Sequence, residues 1–194
     1  MFANLKIGAR LYSLIGAFAL AMTAFGGLAF YTLSQVEVGG PIYGEIVEGK
    51  DLVADILPPP AYLIETYYHI VDLETQVVAG APITAMQEHI DALSRLEDEY
   101  AARIVFWEAN LADENGLRQA MLEDARLPAE QLFAVTQAEF IPAVLAGDAE
   151  EAIRIRHEQI EPLYIEHRAA VDDVVVRTNE RNTQIEAQTQ NQIL

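Results

Sequence analysis

The sequence predicts an all-α protein, an antiparallel up-down-up-down four-helix bundle preceded by one N-terminal transmembrane helix. Three observations predict it. An uncharged apolar run lies near the N-terminus, and the remainder has apolar residues at helical spacing over long stretches. Those stretches are separated by short connections that contain Gly, Pro, Asn or Asp. Short connections favour antiparallel neighbouring helices.

Residues 11–33 form the uncharged run, which is 23 residues long. A helix of this length spans about 34 Å, enough to cross a hydrocarbon core of about 30 Å. Tyr12 and Tyr31 lie near its two ends, where interfacial aromatic residues are common. Two alternatives stay open: a signal peptide cleaved near residues 17–19, and a buried helix of a soluble protein.

Charge is distributed unevenly along the chain, whose net charge is −18. The first 36 residues contain Lys6 and Arg10 and no acid, so the other 10 of the 12 basic residues accompany all 30 acids. A chain this acidic is a poor partner for nucleic acid. By the positive-inside rule, residues 1–10 lie in the cytoplasm and residues 34–194 outside the membrane.

The absence of cysteine excludes disulfides, thiolate metal sites, thiol nucleophiles and covalently attached haem. No nucleophile elbow, phosphate-binding loop or catalytic-triad spacing is found in the sequence. A two-carboxylate hydrolase is compatible with the composition, but nothing indicates which acids would pair. We therefore expect a protein that is not an enzyme and that carries no cofactor.

The first bundle helix is predicted over about residues 35–79. From Ile42 to Val78 the apolar residues recur three or four positions apart, as on one helix face. Residues 80–82, Gly-Ala-Pro, form a stop-and-restart signal, so a second helix is predicted over about residues 83–111. Its apolar positions are Ile83, Met86, Ile90, Leu93, Leu96, Tyr100, Ile104, Trp107 and Leu111.

Two further helices are predicted over about residues 116–146 and 148–193. Residues 113–116, Asp-Glu-Asn-Gly, form the turn before the third helix. Gly147 is a stop signal and Asp148 an N-cap for the fourth helix. The fourth helix ends in a polar segment, typical of a membrane-proximal position, and we expect the parent protein to continue into a second membrane span.

Three consecutive prolines, Pro58, Pro59 and Pro60, interrupt the first bundle helix. A proline inside a helix costs about 3 kcal/mol, because it removes a hydrogen bond and its ring clashes with the preceding turn. The helix that restarts after them exposes the backbone amides of Ala61, Tyr62 and Leu63, which can bind an anion.

Other irregular features fall at the same height when about 21 residues are counted from each tip of the bundle. They include Pro128, Pro162, three arginines and the only tryptophan. Arginine binds carboxylates in a bidentate manner. The sequence therefore predicts a pocket for a small organic anion, within one bundle or at a dimer interface. Its predicted lining is Pro58, Pro60, Ala61, Tyr62, Tyr68, Arg103, Trp107, Arg126, Tyr164 and Arg168.

Each of these features also has a purely structural interpretation. The prolines can simply bend the helix around the bundle. Trp107 and Phe106 can pack in the core, and each arginine can pair with one of many acids at the surface. Glu65 and His69, four residues apart, form at most a two-ligand metal clip. Because the four histidines are scattered along the sequence, we expect no metal site.

This layout resembles that of bacterial transmembrane chemoreceptors, the methyl-accepting chemotaxis proteins with a four-helix-bundle periplasmic ligand-binding domain. The stretch at residues 49–60, GKDLVADILPPP, is similar to a segment of such receptors. The resemblance covers the whole chain in layout, whereas its sequence motifs are weak. The chain lacks the cluster of arginines found in the first helix of enteric amino-acid receptors, so no ligand contact is carried over from them.

The resemblance implies a homodimer in the bacterial inner membrane, with a periplasmic sensor domain that binds a small molecule. It implies signalling by small displacements of a membrane-crossing helix toward cytoplasmic partners, through a C-terminal part beyond residue 194. Two alternatives use the same elements: the sensor domain of a histidine kinase or cyclic-nucleotide enzyme, and a membrane-anchored helical bundle with a structural or enzymatic role.

Overall fold

The computed structural model describes residues 6–36, 40–56, 61–112 and 115–193. Within these ranges the chain is helical and contains no strand, which confirms the predicted all-α class. The chain divides into two compact units, Met1–Val47 with Thr183–Leu194, and Glu48–Asn182.

Helix α1, Ile7–Val36, contains the predicted apolar run. Its segment Ile7–Ser34, of 28 residues, has a mean hydropathy of 1.8 and no buried residue. By length and composition this helix is able to cross a membrane. Its apolar side chains are exposed along the whole segment, with Phe18 and Phe30 among the largest.

Within the described ranges, five further helices follow. The predicted first bundle helix is present as two helices, and the residues between them, which include the three prolines, lie outside the described ranges. The bounds are α2 Pro41–Ile56, α3 Ala61–Val78, α4 Ile83–Asn110, α5 over residues 117–146 and α6 over residues 149–193.

Two glycines in left-handed conformations end α3 and α5. Gly80 has a φ of 68°, and the amide of Ala81 donates to the carbonyl of Gln76 at 3.0 Å. Gly147 has a φ of 73°, and the amide of Asp148 donates to the carbonyl of Ala143 at 2.9 Å. These bonds satisfy carbonyls that a helix end otherwise leaves unpaired, and they reverse the chain sharply.

Prolines inside α5 and α6 do not interrupt these helices. Each of Pro128, Pro142 and Pro162 lies two or three residues after a π-helical turn. A π turn is wider than an α turn, so it accommodates the proline ring and the missing amide without ending the helix. The three turns are Ala120–Ala125, Thr136–Phe140 and Arg156–Ile160.

The hydrophobic core lies within residues 48–182 and draws on all five helices α2 to α6. Helix α3 contacts α4 and the start of α6, α5 contacts α6, and α4 contacts the first turns of α5. Side chains that are almost completely buried include Leu52, Leu63, Ile70, Leu93, Leu132, Phe140 and Ile155.

Candidate functional site

Asp55, Arg103 and Trp107, here called the Asp55 cluster, join α2 to α4. Asp55 Oδ2 accepts a hydrogen bond of 2.9 Å from Trp107 Nε1 and forms an ion pair with Arg103 Nη2. The Arg103 guanidinium also lies over the ring of Phe106, with its central carbon 4.6 Å from the ring centroid. Two of the ten predicted site residues, Arg103 and Trp107, are thus brought together.

In the Asp55 cluster the opposite charges of Asp55 and Arg103 cancel, and most of the polar atoms have a partner within the cluster. Trp107 is only 2% exposed, so it packs in the core, whereas Phe106 is 43% exposed. Arg103 Nε is buried without a hydrogen-bond partner among the described residues. Because Asp55 already neutralises Arg103, an anionic ligand would have to displace Asp55 before it could use this arginine.

The other two predicted arginines have carboxylate partners of their own. Arg126 pairs with Glu108 on α4 and with Glu130 on its own helix, whose Oε1 is 2.6 Å from Nε. Its hydrogen bond to Glu130 raises the pKa of Arg126 above its ordinary value. Arg168 lies 3.8 Å from Asp172, one turn along α6. Each of the three arginines therefore pairs with a different carboxylate.

Arg126 lines an open groove of about 810 Å³ between the end of α4 and the start of α5. Arg118 lies in the same groove, and its guanidinium donates to the carbonyls of Leu111 and Glu108 at 2.9 and 2.8 Å. These bonds occupy carbonyls at the C-terminal end of α4. The groove presents two guanidinium groups beside two carboxylates, those of Glu108 and Glu123.

Tyr164, another predicted residue, stacks on Tyr67 of α3, with ring centroids 4.5 Å apart and planes 14° apart. The hydroxyl of Tyr67 is 3.1 Å from Arg156 Nη1, and Arg156 forms an ion pair with Glu74 of α3. Its hydrogen bond to Glu74 raises the pKa of Arg156. This arrangement ties α3 to α6 in a mostly buried position.

Tyr68 lies on a different face of α3 from Tyr67 and is 59% exposed. Its ring centroid is 5.3 Å from that of His69 and 6.5 Å from that of His89. The two imidazoles approach closely: His69 Nδ1 is 2.7 Å from His89 Nδ1. Burial, followed by the nearby charge of His89, lowers the pKa of His69.

His167 is the most buried of the histidines, with 3% of its surface exposed. Its Nδ1 lies 2.7 Å from the carbonyl oxygen of Ala125, so Nδ1 carries the proton that it donates. Its Nε2 is buried and has no hydrogen-bond partner among the described residues. Burial is the main cause that lowers the pKa of His167.

The remaining predicted residues are described in part or not at all. Pro58 and Pro60 lie outside the described ranges. Ala61 and Tyr62 form the start of α3, but their side chains lie outside the description. Within the described part of the chain, no group of three or more His, Asp or Glu side chains is arranged to hold a metal ion.

The sequence interpretation missed Asp55, Asp72 and the approach of His69 to His89. The last of these had a signal, because the two histidines lie symmetrically about Ala79, at the turn between α3 and α4. Antiparallel helices bring such positions to the same height. The choice of Asp55 among 30 acids had no comparable signal.

Comparison of this chain with family models, with curated proteins and with solved structures gave no significant match.

Proposed function

We propose that this chain is the membrane anchor and exported sensor domain of a bacterial transmembrane chemoreceptor. This proposal rests on the order in which two unlike parts follow each other along the chain. An exposed apolar helix of membrane-spanning length is followed by an acidic helical unit with its own core. A protein anchored in the inner membrane, with its acidic part in the periplasm and Lys6 and Arg10 in the cytoplasm, accounts for both parts.

In this proposal, α3, α4, α5 and α6 form an antiparallel up-down-up-down bundle, and α2 extends its first helix beyond the prolines. The contacts support a closed cycle, since α3 meets α4, α4 meets α5, α5 meets α6 and α6 meets α3. Short connections at residues 79–82, 111–116 and 147–148 fit antiparallel neighbours. Small displacements of one helix against another would transmit the signal.

We further propose a homodimer through α3, which has apolar residues on two faces. One face is buried in the core and includes Leu63, Ile70 and Leu73. The other is exposed and consists of Ile64, Tyr68, Val71 and Val78. Their spacing of four, three and seven residues is that of a coiled-coil seam, which a second copy of the same helix can cover.

The proposed ligand is a small organic anion, and the proposed site is the open groove beside Arg126, where Arg118 supplies a second guanidinium group. There a ligand carboxylate would replace Glu108 on the Arg126 guanidinium, an exchange of one charge-assisted pair for another. Such an exchange would release Glu108 of α4 from α5. Binding would therefore change the contact between two helices, as a sensor requires.

The membrane arrangement is tested with introduced cysteines, because the natural chain has none. Val105, which is 65% exposed, is replaced in the variant Val105→Cys. We expect a membrane-impermeant maleimide to label this cysteine in intact cells that express the full chain, because residue 105 lies outside the cytoplasm. The matched variant Lys6→Cys should be labelled only after lysis. The reverse pattern would contradict the proposed orientation.

The ligand proposal is tested by thermal unfolding of the full chain in detergent against a panel of small carboxylates. A ligand that binds the native state raises the melting temperature by mass action. We expect at least one carboxylate to do so, and Arg126→Ala to abolish the rise. Arg154→Ala is the matched control, since Arg154 pairs with Glu151 and Glu158 on its own helix. A rise that survives in Arg126→Ala would show that the groove is not the site.

A further inference from the structure

His69 and His89 lie at the contact of α3 with α4, where their imidazole rings contact each other and each ring also faces a carboxylate. Their Nδ1 atoms are 2.7 Å apart. The other ring nitrogens face carboxylates: His89 Nε2 is 3.0 Å from Asp72 Oδ2, and His69 Nε2 is 3.8 Å from Glu65 Oε1. Four groups thus form a row, carboxylate, imidazole, imidazole, carboxylate.

The distances fix where the protons lie when both rings are neutral. A neutral imidazole carries one N–H, so its other nitrogen is an acceptor. His89 Nε2 donates to Asp72 at 3.0 Å, which leaves His89 Nδ1 as an acceptor. His69 Nδ1 must therefore donate to it, and His69 Nε2 is left unprotonated. Gln76 Nε2 also donates to Asp72 Oδ2, at 2.5 Å, which helps to hold that carboxylate in place.

Two further protons then have different consequences. The first binds His69 Nε2, which faces Glu65, and it leaves the hydrogen bond between the rings intact. The second must bind His89 Nδ1, because that is the remaining basic nitrogen. This second proton places two N–H donors at the 2.7 Å contact and gives both rings a positive charge. Like charges at this distance repel strongly where water is partly excluded.

Some of the charged groups around the two histidines favour their protonation and others oppose it. On α4, Arg95 lies 3.5 Å from Glu65 and reduces the attraction of that carboxylate for His69. His69, Glu65 and Arg95 line an open groove of about 620 Å³ together with Glu88 and Asp91, and this groove gives water and protons access. Tyr68 adds an exposed ring beside both imidazoles. From α6, Arg156 pairs with Glu74 on another face of α3.

We propose that His69 and His89 form a proton-binding site that holds α3 against α4 while it carries at most one extra proton and separates the helices when it binds a second. The row of four contacting groups supports this site, whatever the function of the protein. Its use as a signal, in which acid acts as a second input to the sensor, rests on the proposed function.

A bound metal ion fits the same atoms less well. Two imidazole nitrogens on one metal at about 2.05 Å and a right angle would be about 2.9 Å apart, and about 3.3 Å in a tetrahedral site. The observed 2.7 Å is shorter, and no third ligand converges within the described part of the chain. A proton needs only the two nitrogens.

The protonation states are measured by NMR of the full chain in detergent, with labelled histidine. The chain has four histidines, so the spectrum is simple and the variants His69→Gln and His89→Gln assign it. Near pH 8 we expect His69 to be protonated at Nδ1 and His89 at Nε2. On acidification the two rings should titrate in linked steps, whereas in His89→Gln the His69 ring should titrate in a single step, because no second imidazole then shares its proton.

Helix separation is measured in the same chain with nitroxide labels at Ile64→Cys and Ser94→Cys, diluted with unlabelled chain so that only the distance within one chain is measured. These positions lie symmetrically about Ala79, farther from the turn than the histidines. The distance between labels should increase once the second proton binds, and His69→Gln or His89→Gln should abolish the increase. His157→Gln is the matched control, because His157 contacts Glu161 within α6, and it should leave the increase unchanged.

Three results would overturn the proposal. In the first, His69 titrates identically with and without His89. In the second, the rings titrate as a linked pair but the label distance stays constant at all pH values. In the third, Zn²⁺ or Cu²⁺ at constant pH shifts both histidine signals and raises the melting temperature only when both histidines are present. None of these measurements depends on signalling, so failure of the sensor proposal would leave their outcome unaffected.

Discussion

The Asp55 cluster and the His69–His89 pair both place polar side chains at a contact with α4, yet they differ in the kind of cation. In the Asp55 cluster the cation is Arg103, held by Asp55 and joined to the buried Trp107. At the other contact the basic groups are two imidazoles in a row with carboxylates. Arginine stays charged at every physiological pH, whereas histidine gains its charge near pH 6.5.

This difference separates a fixed contact from a responsive one. In the Asp55 cluster an arginine is held by a carboxylate that also accepts a hydrogen bond from the buried indole, so no histidine takes part in that contact. The other contact is made by two imidazoles, a kind of side chain that can gain a charge by binding a proton. The proposed sensor function would need both kinds of contact, because a responsive contact shifts one helix usefully only if other contacts hold the remainder of the fold.

The largest effect is expected from removal of the fixed contact. Trp107→Ala should lower the free energy of unfolding by about 3–5 kcal/mol, because Trp107 is almost completely buried and its removal leaves a large cavity. Trp107→Phe keeps an aromatic ring but removes the hydrogen bond to Asp55, and should cost about 1–3 kcal/mol. Far-UV circular dichroism during urea unfolding measures both, since these variants lack the only tryptophan.

The adjacent ring provides the control for this experiment. Phe106→Ala removes a ring that contacts the same Arg103 but is partly exposed. We expect a cost of about 1 kcal/mol or less, the typical value for a cation–π contact near the surface. An equal cost for Phe106→Ala and Trp107→Ala would mean that burial of Trp107 does not stabilise the fold as inferred.

The sequence predicted the helices and their buried faces because both depend on local spacing. On α4 most of the predicted apolar positions are buried, namely Met86, Leu93, Leu96, Tyr100, Ile104 and Trp107, and so is Leu111 directly after the helix. Ile90 is partly buried. Ile83, at the first residue of the helix, is half exposed because it lies where the helix begins. Pro128 and Pro162 were expected to interrupt packing, but π turns before them keep the helices continuous.

Polar partners were harder to predict, since they depend on the register between helices. Trp107 bonds to Asp55, 52 residues away, across the three prolines. Counting from the helix tips has an error of at least one turn, which is about the separation of neighbouring side chains on one helix face, so it cannot choose between them. His69 and His89 lie close to a single short turn, so the same counting would have paired them.

A smaller effect, which depends on pH, is expected at His167. In the folded state its pKa is lowered, mainly by burial, while in the unfolded chain it is near 6.5. Above that pH neither state is protonated at this position. As pH falls below about 6.5 the unfolded chain binds a proton that the folded chain resists. Stability should then decrease, by at most about 1.4 kcal/mol per pH unit, until the pH reaches the folded pKa.

His167→Asn separates this contribution from the others, because an asparagine amide can still donate to the carbonyl of Ala125. We expect a modest loss of stability at pH 7.5 and a weaker decrease between pH 7.5 and pH 5, measured by urea unfolding. His157→Asn is the control, since His157 is exposed on α6 and should keep the wild-type slope. If His167→Asn also keeps that slope, the acid sensitivity of the fold lies in the His69–His89 pair or elsewhere, and His167 accepts a proton without unfolding the chain.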